Sequence, residues 1–171
     1  MTIRKLADDD DRQQFSSGDA DLDRFFHQFA GQNQFKHHIG TTYVAVDQQH
    51  IRGYVTIAPG SLEIERLPAR DRKRLPSYPA PILRLARLAV DHRHRGAGIG
   101  EQLLRHVLLM AASMASDYGC IGILVDAKPA AVDFYARYGF ESIDLALGDS
   151  PARPSPTPMF LPISDVVASL R

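Results

Sequence analysis

An α/β fold built as one domain over residues 1–171 is what this sequence predicts, and three stretches carry that expectation. The run LARLAVDHRHRGAGIG, Leu85 to Gly100, is a short apolar strand that empties into a basic, glycine-rich turn and then a helix. Residues 120–125, Cys-Ile-Gly-Ile-Leu-Val, form the continuous apolar run expected of a strand covered on both faces. Strand, turn, helix and strand make a βαβ unit, so the two strands should be parallel and the crossover right-handed. The third stretch is a hairpin: Thr41 to Val46, a turn over Asp47 to His50, and its partner Ile51 to Ala58.

The other elements follow in order. Residues 1–18 open with a short extended stretch and the acidic run Asp8 to Asp11, a solvated turn. Asp19 or Asp21 caps a helix whose Leu22, Phe25, Phe26, Phe29 and Ala30 recur at helical spacing, and Gly40 ends that region. Pro59-Gly60 breaks the hairpin's second strand. Residues 61–80 read as a helix start and then a loop, because Pro68, Pro76 and Pro79 forbid a long helix. In the helix over 100–117, Leu104, Leu108, Ala111 and Ala115 mark a buried stripe. Pro129 suits the first turn of the next helix, with Val132, Phe134, Tyr135 and Tyr138 on it and Gly139 as its stop. Residues 148–158, with Pro151, Pro154, Pro156 and Pro158, read as a loop, and Met159 to Ile163 as a last strand.

Composition removes several function classes. At 44% hydrophobic residues the 171-residue chain buries a sizeable core and is not disordered. A formal net charge of zero excludes a general nucleic-acid coat, so any such contact needs a local patch. The single cysteine, Cys120, allows no intrachain disulfide and favours a reducing compartment. The start MTIRKLADDDD has no apolar signal core and no apolar run reaches membrane length, so a cytoplasmic protein without a membrane partner is expected.

The turn after Val90 carries the chemistry. Gly96, Gly98 and Gly100 let backbone N–H groups approach a ligand with no Cβ in the way. The first turn of the following helix leaves its N–H groups unpaired at the positive end of the dipole, and Arg93 and Arg95 add full charges. Such a place suits phosphate oxygens. It is not a Walker loop, having no Lys-Ser or Lys-Thr, and G-x-G-x-G is not the dinucleotide fingerprint. The bland alternative is a strand-to-helix turn with solvated arginines.

Arg93-x-x-Gly96-x-Gly98 resembles the acyl-CoA diphosphate loop, Q/R-x-x-G-x-G/A, of the GNAT acyltransferase superfamily. FSSGDADLDRFF, NQF, YPAPILRLARLAVD, RHRGAGIG, VDAK, DFYARYGF and MFLPI stand in the order seen in the branch of toxins that acetylate aminoacyl-tRNA. The resemblance implies a GNAT fold: a mixed, mostly antiparallel sheet with a central splayed parallel strand pair, flanked by helices. It implies acetyl-CoA as co-substrate, held by Leu88, Ala89 and Val90 along its pantetheine arm and by Arg93, Arg95, Gly96, Ala97, Gly98, Ile99 and Gly100 at its diphosphate. Tyr135 matches the family's general acid at the departing sulfur, and Arg87 matches an arginine of the toxin-like branch. The partners implied are aminoacyl-tRNA, a small DNA-binding antitoxin and a second copy of the chain. The chain departs from the family run at Asp133, where a small or amide side chain is common.

Bland readings stand beside these. Arg66, Arg70, Arg72, Lys73 and Arg74, with Arg84 and Arg87, either contact tRNA phosphates or make a solvated face. Tyr135 is either the acid or a core aromatic, as Phe134 and Tyr138 are expected to be. His92-x-His94 lacks a further ligand cluster, so no metal is expected, and Cys120 reads as inert core. No general base is legible; Asp91 and Asp126 are weak candidates. An α-amine with a pKa of about 7.7–8.0 is already substantially neutral and scarcely needs one. The rival functions are an acetyltransferase for a small or protein amine, and a non-catalytic CoA- or nucleic-acid-binding module.

Overall fold

The computed structural model describes residues 1–143 and 155–171; Pro151 and Pro154 of the expected loop lie outside the described residues. The strands are β1 (Thr2–Lys5), β2 (Thr41–Asp47), β3 (His50–Leu62), β4 (Ala80–Val90), β5 (Gly122–Ala127), β6 (Glu141–Ser142) and β7 (Thr157–Pro162). They form a seven-stranded sheet in the order β1-β2-β3-β4-β5-β7-β6, mostly antiparallel, with β4 and β5 as the parallel pair. The α-helices are α1 (Ala20–Arg24), α2 (Ala30–Gln32), α3 (Ala69–Arg72), α4 (Ile99–Asp117), α5 (Val132–Arg137) and α6 (Ile163–Ser169). The chain divides into two compact units, Met1–Ala58 with Leu85–Val107, and Pro59–Arg84 with Leu108–Arg171.

In the first unit β1 and β2 pair antiparallel from Thr2↔Val46 to Lys5↔Tyr43, and β2 and β3 from Thr41↔Ile57 to Asp47↔His50. Gln48 and Gln49 close that hairpin with φ of 50° and 67°, the mirror-image turn that matches strand twist. Asp19 caps α1, its carboxylate accepting from the N–H groups of Asp21 and Leu22 at 3.0 and 3.2 Å. The helix then departs from the expected period, for Phe25–Phe29 and Asn33–His37 are π-helical. The N–H of Ala30 reaches back five residues to Phe25 O. The inserted residue throws the aromatic stripe out of phase: Phe26 is fully buried, whereas Phe29, expected in the core, is 40% exposed. His38 ends the helical run in the left-handed region at φ 54°, ahead of Gly40. Phe26 stacks on Tyr54 at 4.4 Å, Phe15 meets both rings edge-on, and the Tyr54 hydroxyl donates to Leu22 O at 2.8 Å.

The second unit gathers Leu62, Ile64, Leu67, Ile82, Leu124 and Phe160 into its core. Here β5 pairs antiparallel with β7, from Gly122↔Pro162 to Ala127↔Thr157. Gly122 is required, because a Cβ there would lie 2.4 Å from Leu161 O. Gly139, at φ 94°, stops α5 as expected.

Four expectations need correction. Pro59-Gly60 does not end β3, which runs on to Leu62. The β2 ladder stops at Thr41↔Ile57, so the missing N–H of Pro59 forfeits no bond on that side. The central strand begins at Ala80, five residues before Leu85, and β5 is shifted two residues beyond the apolar run, because burial and pairing do not end together. Pro158 lies in β7, not in a loop; its carbonyl accepts from Ile143 N at 3.0 Å. The short β6 and the helix α6 were not expected at all.

Candidate active site

The first unit carries the glycine turn. β4 brings Leu88, Ala89 and Val90 to Asp91, a short 3-10 turn follows over His92–His94, and α4 begins at Ile99. Gly96 and Gly98 hold φ of +81° and +79°, a region that L side chains avoid. Neither Cα has a described atom within 4 Å of where a Cβ would stand, so space beside this backbone is open. Gln102 N donates to Gly98 O at 3.1 Å, the first bond of the helix. The N–H groups of Ile99, Gly100 and Glu101 therefore have no acceptor within the helix and face its N-terminal end. Gly96, Ala97 and Gly98 are exposed, Gly100 is half-buried and Ile99 anchors the turn in the core. Open space, positive-φ glycines and a helix start of unpaired donors fit a diphosphate.

The turn's side chains also bond within the protein. Asp91 is fully buried, and its N–H donates to Arg52 O at 2.8 Å. Its Oδ1 accepts from Arg93 N and Nε at 3.0 and 2.9 Å, and its Oδ2 from Arg93 Nη2 and Ser16 N at 2.8 and 3.2 Å. Those Arg93 hydrogen bonds, despite burial, hold the carboxyl well below the usual carboxylate range. An ionised carboxylate with four donors is an anchor, not a proton acceptor. Arg93 Nη2 also reaches Gln14 O at 3.1 Å, and Arg95 Nη2 donates to Ser17 O. Both His92 N and Nδ1 lie 2.9 Å from Ser16 O, so Nδ1 bears the proton. His94 Nε2 accepts from Arg52 Nη1 at 2.5 Å. Arg87 stacks its guanidinium 3.8 Å over the Phe25 ring, and burial pulls its pKa down.

The second unit carries Tyr135. Its aromatic neighbours turn out more exposed than it is: Phe134 and Tyr138 are half-buried, while Tyr135 is only 4% exposed. Its ring stands edge-on to Phe134 and Phe140 at 5.2 and 5.4 Å. Burial alone pushes the phenol well above its ordinary range. Arg84 pairs with Asp126 at 3.2 Å, and Arg70 with Glu141. Arg72 Nη1 reaches Glu65 O at 3.4 Å. Arg66, Lys73 and Arg74 make no ion pair among the described residues. Cys120 is buried, burial raises its thiol pKa, and its Sγ donates to Gly122 O at 3.2 Å.

The structure thus groups Leu88 to Gly100 with Arg87 in one unit, and Tyr135 with Arg66, Arg70, Arg72, Lys73, Arg74 and Arg84 in the other. Sequence reasoning missed the arm Gln14–Gly18, whose carbonyls receive the turn's side chains. Its one local signal was the capping pattern Ser17, Asp19 and Asp23.

Comparison with known proteins identifies the family. Residues 38–142 match the acetyltransferase (GNAT) domain family. A tRNA-acetylating toxin of Mycobacterium tuberculosis is 33% identical over 139 residues, 81% of this chain and 82% of that protein. Among solved structures, a tyrosine-to-phenylalanine mutant of KacT superposes with a TM-score of 0.85 at 27% identity, covering 98% of each chain. AtaT complexed with acetyl-methionyl-tRNAfMet gives 0.84 at 25% identity, covering 99% of each. The glycine turn, the sheet order and these matches agree: the chain belongs to the GNAT acetyltransferase family.

Proposed function

We propose that this chain transfers the acetyl group of acetyl-CoA to the α-amino group of aminoacyl-tRNA and thereby blocks translation. The observation that carries the reading is the likeness, over 99% of both chains, to AtaT complexed with acetyl-methionyl-tRNAfMet. AtaTR bound with AcCoA, at a TM-score of 0.79 and 25% identity, supports the donor. The domain is taken as residues 1–171, containing both units. A cytoplasmic location, a homodimer and a small antitoxin partner belong to the same proposal; AtaT is known bound to the C-terminus of its antitoxin AtaR.

The roles follow from each residue's chemistry. Backbone groups of Leu88, Ala89 and Val90 hold the pantetheine amides, and the N–H groups from Arg95 to Gly100 hold the diphosphate. Acetyl-CoA supplies an activated thioester. The neutral amine attacks its carbonyl, the C–N bond forms, the C–S bond breaks, and the amine proton passes to water. Tyr135 donates a hydrogen bond to the sulfur as it gains charge. Complete transfer of the phenolic proton is uphill, since a thiol near 8.5 is the stronger acid even against an unperturbed phenol of about 10. Lys73 and Arg74, exposed and without an ion pair among the described residues, are the cations best placed for tRNA phosphates.

The test is expression of the chain alone, beside Tyr135→Phe, while growth, translation and acetylation of aminoacyl-tRNA are followed. Arrest by the parent and its relief in the mutant are expected. Robust acetylation of a small or protein amine with translation untouched would overturn the proposal in favour of a non-toxic acetyltransferase.

A further inference from the structure

The glycine turn does not stand alone in its unit. Its side chains collect the backbone of an arm seventy-odd residues earlier in the chain. Gln14 O is taken by Arg93, Ser16 O by the main chain and ring of His92, and Ser17 O by Arg95. Ser16 N closes the arrangement on Asp91 at 3.2 Å. The arm is then fastened to the first helix. Ser17 N and Oγ both donate to Asp23 Oδ1, at 2.9 and 2.7 Å, and Ser17 Oγ accepts from Asp19 N at 3.1 Å. Asp19 is the cap of α1, and the helical run beyond it contains two π segments, a form seldom stable without outside support. The hydrogen-bonded route from turn to helix thus starts at Asp91, and Phe15 of the arm adds a bond between its carbonyl and His27 Nε2 at 2.7 Å and an edge-on ring contact with Phe26.

We propose that Asp91 is a positioning residue: through Arg93 and the arm Gln14–Gly18 it makes the shape of the acyl-CoA turn and the placement of helix 20–37 a single variable. Binding at the turn then steadies the helix, although the ligand need not touch it. The turn's two arginines, although exposed, are fasteners of that arm. The inference rests on acetyl-CoA occupying the turn.

Hydrogen exchange of the full chain with and without acetyl-CoA separates that premise from the inference. In the parent protein, protection should rise in residues 95–102, which tests the turn, and by at least about fivefold in residues 19–37, which tests the coupling. Ser17→Ala removes the Oγ bonds to Asp23 and Asp19 but spares the Asp91–Arg93 pair, so the turn should stay responsive while the helix answers less. Asp91→Asn should raise KM for acetyl-CoA about tenfold and leave kcat within about threefold, a split that general loss of folded protein does not produce. Protection confined to residues 95–102 in the parent would overturn the coupling, as would an unchanged KM in Asp91→Asn or a helix protected in Ser17→Ala as fully as in the parent. Absence of protection in both segments would overturn the turn assignment itself, and the coupling with it.

Discussion

The arginines of the glycine turn and the cations of residues 66–74 look alike in the sequence, yet the structure employs them in opposite ways. Arg93 and Arg95 are bonded to Asp91 and to carbonyls of the Gln14–Gly18 arm. In the other group Arg70 pairs with Glu141, whereas Arg66, Lys73 and Arg74 have no ion pair among the described residues. Arg93 commits its Nε and Nη2 to Asp91 and Gln14 O, and Arg95 commits Nη2 to Ser17 O, so both turn arginines are partly engaged within the protein. On the proposed function, diphosphate binding at the turn would fall chiefly to backbone N–H groups, and long-range attraction of tRNA to the exposed cations of the second unit.

The largest effect expected sits outside both groups. On the proposed function, Tyr135→Phe would remove one hydrogen bond to a developing thiolate, which should lower kcat about 10²–10³-fold with KM for acetyl-CoA little changed. Steady-state kinetics on charged tRNA measure it, and a mutant as active as its parent would take the phenol out of the mechanism. Next in size, Arg93→Gln strips a fully buried carboxylate of its two side-chain bonds. It should lower Tm and free the arm, and added salt should not restore the loss. Lys73→Gln with Arg74→Gln should do the reverse. Tm stays, and the dependence of log Kd for tRNA on log salt flattens by about 0.7–0.9 for each phosphate no longer neutralised. If the turn mutant shows the salt effect and the exposed pair shows the Tm effect, the contrast is wrong.

The unequal legibility of these parts has a physical origin. The turn could be read because its demands are local: glycines where φ is positive, an apolar strand before and a periodic helix after. The helix α4 appeared within one residue of expectation for the same reason. Asp91's role could not be read, because Ser16, one of its partners, lies 75 residues away. The π segments were invisible to a 3.6-residue period, so Phe29 was placed in a core that it leaves. Tyr135 came from the resemblance to a family. Nothing in the order Phe134, Tyr135 said which ring would be the buried one.

The two units should also differ in pH response. Hydrogen bonds from Arg93 depress the folded-state pKa of Asp91, so its contribution to stability is complete above the ordinary carboxylate value of about 3.9 and fades as pH falls through the depressed one. Burial raises the phenols of Tyr54 and Tyr135, one in each unit. Their contribution is complete below about 10 and fades as pH climbs through the raised values. Thermal melts against pH should therefore show both flanks. Arg93→Gln should shrink only the acid flank and Tyr135→Phe only the alkaline one.

The smallest effect probes the turn's backbone directly. At Gly98 a methyl group would meet no described atom within 4 Å, so Gly98→Ala costs conformation and not collision. Holding alanine at φ +79° should cost about 1–2 kcal/mol, and each kcal/mol should lower Tm by about 2–4 °C. Gly53→Ala, by contrast, brings a methyl to 2.9 Å from Ile99 and 3.1 Å from Ala89 O, with no positive φ involved. Its penalty is pure packing behind the turn. If the turn binds diphosphate through its backbone, Gly98→Ala should weaken acetyl-CoA more than Gly53→Ala for the same loss of stability, because only the first points its new methyl into the ligand's space. Equal losses of affinity per degree of Tm would show that affinity merely follows the fold, and isothermal titration of both variants decides it.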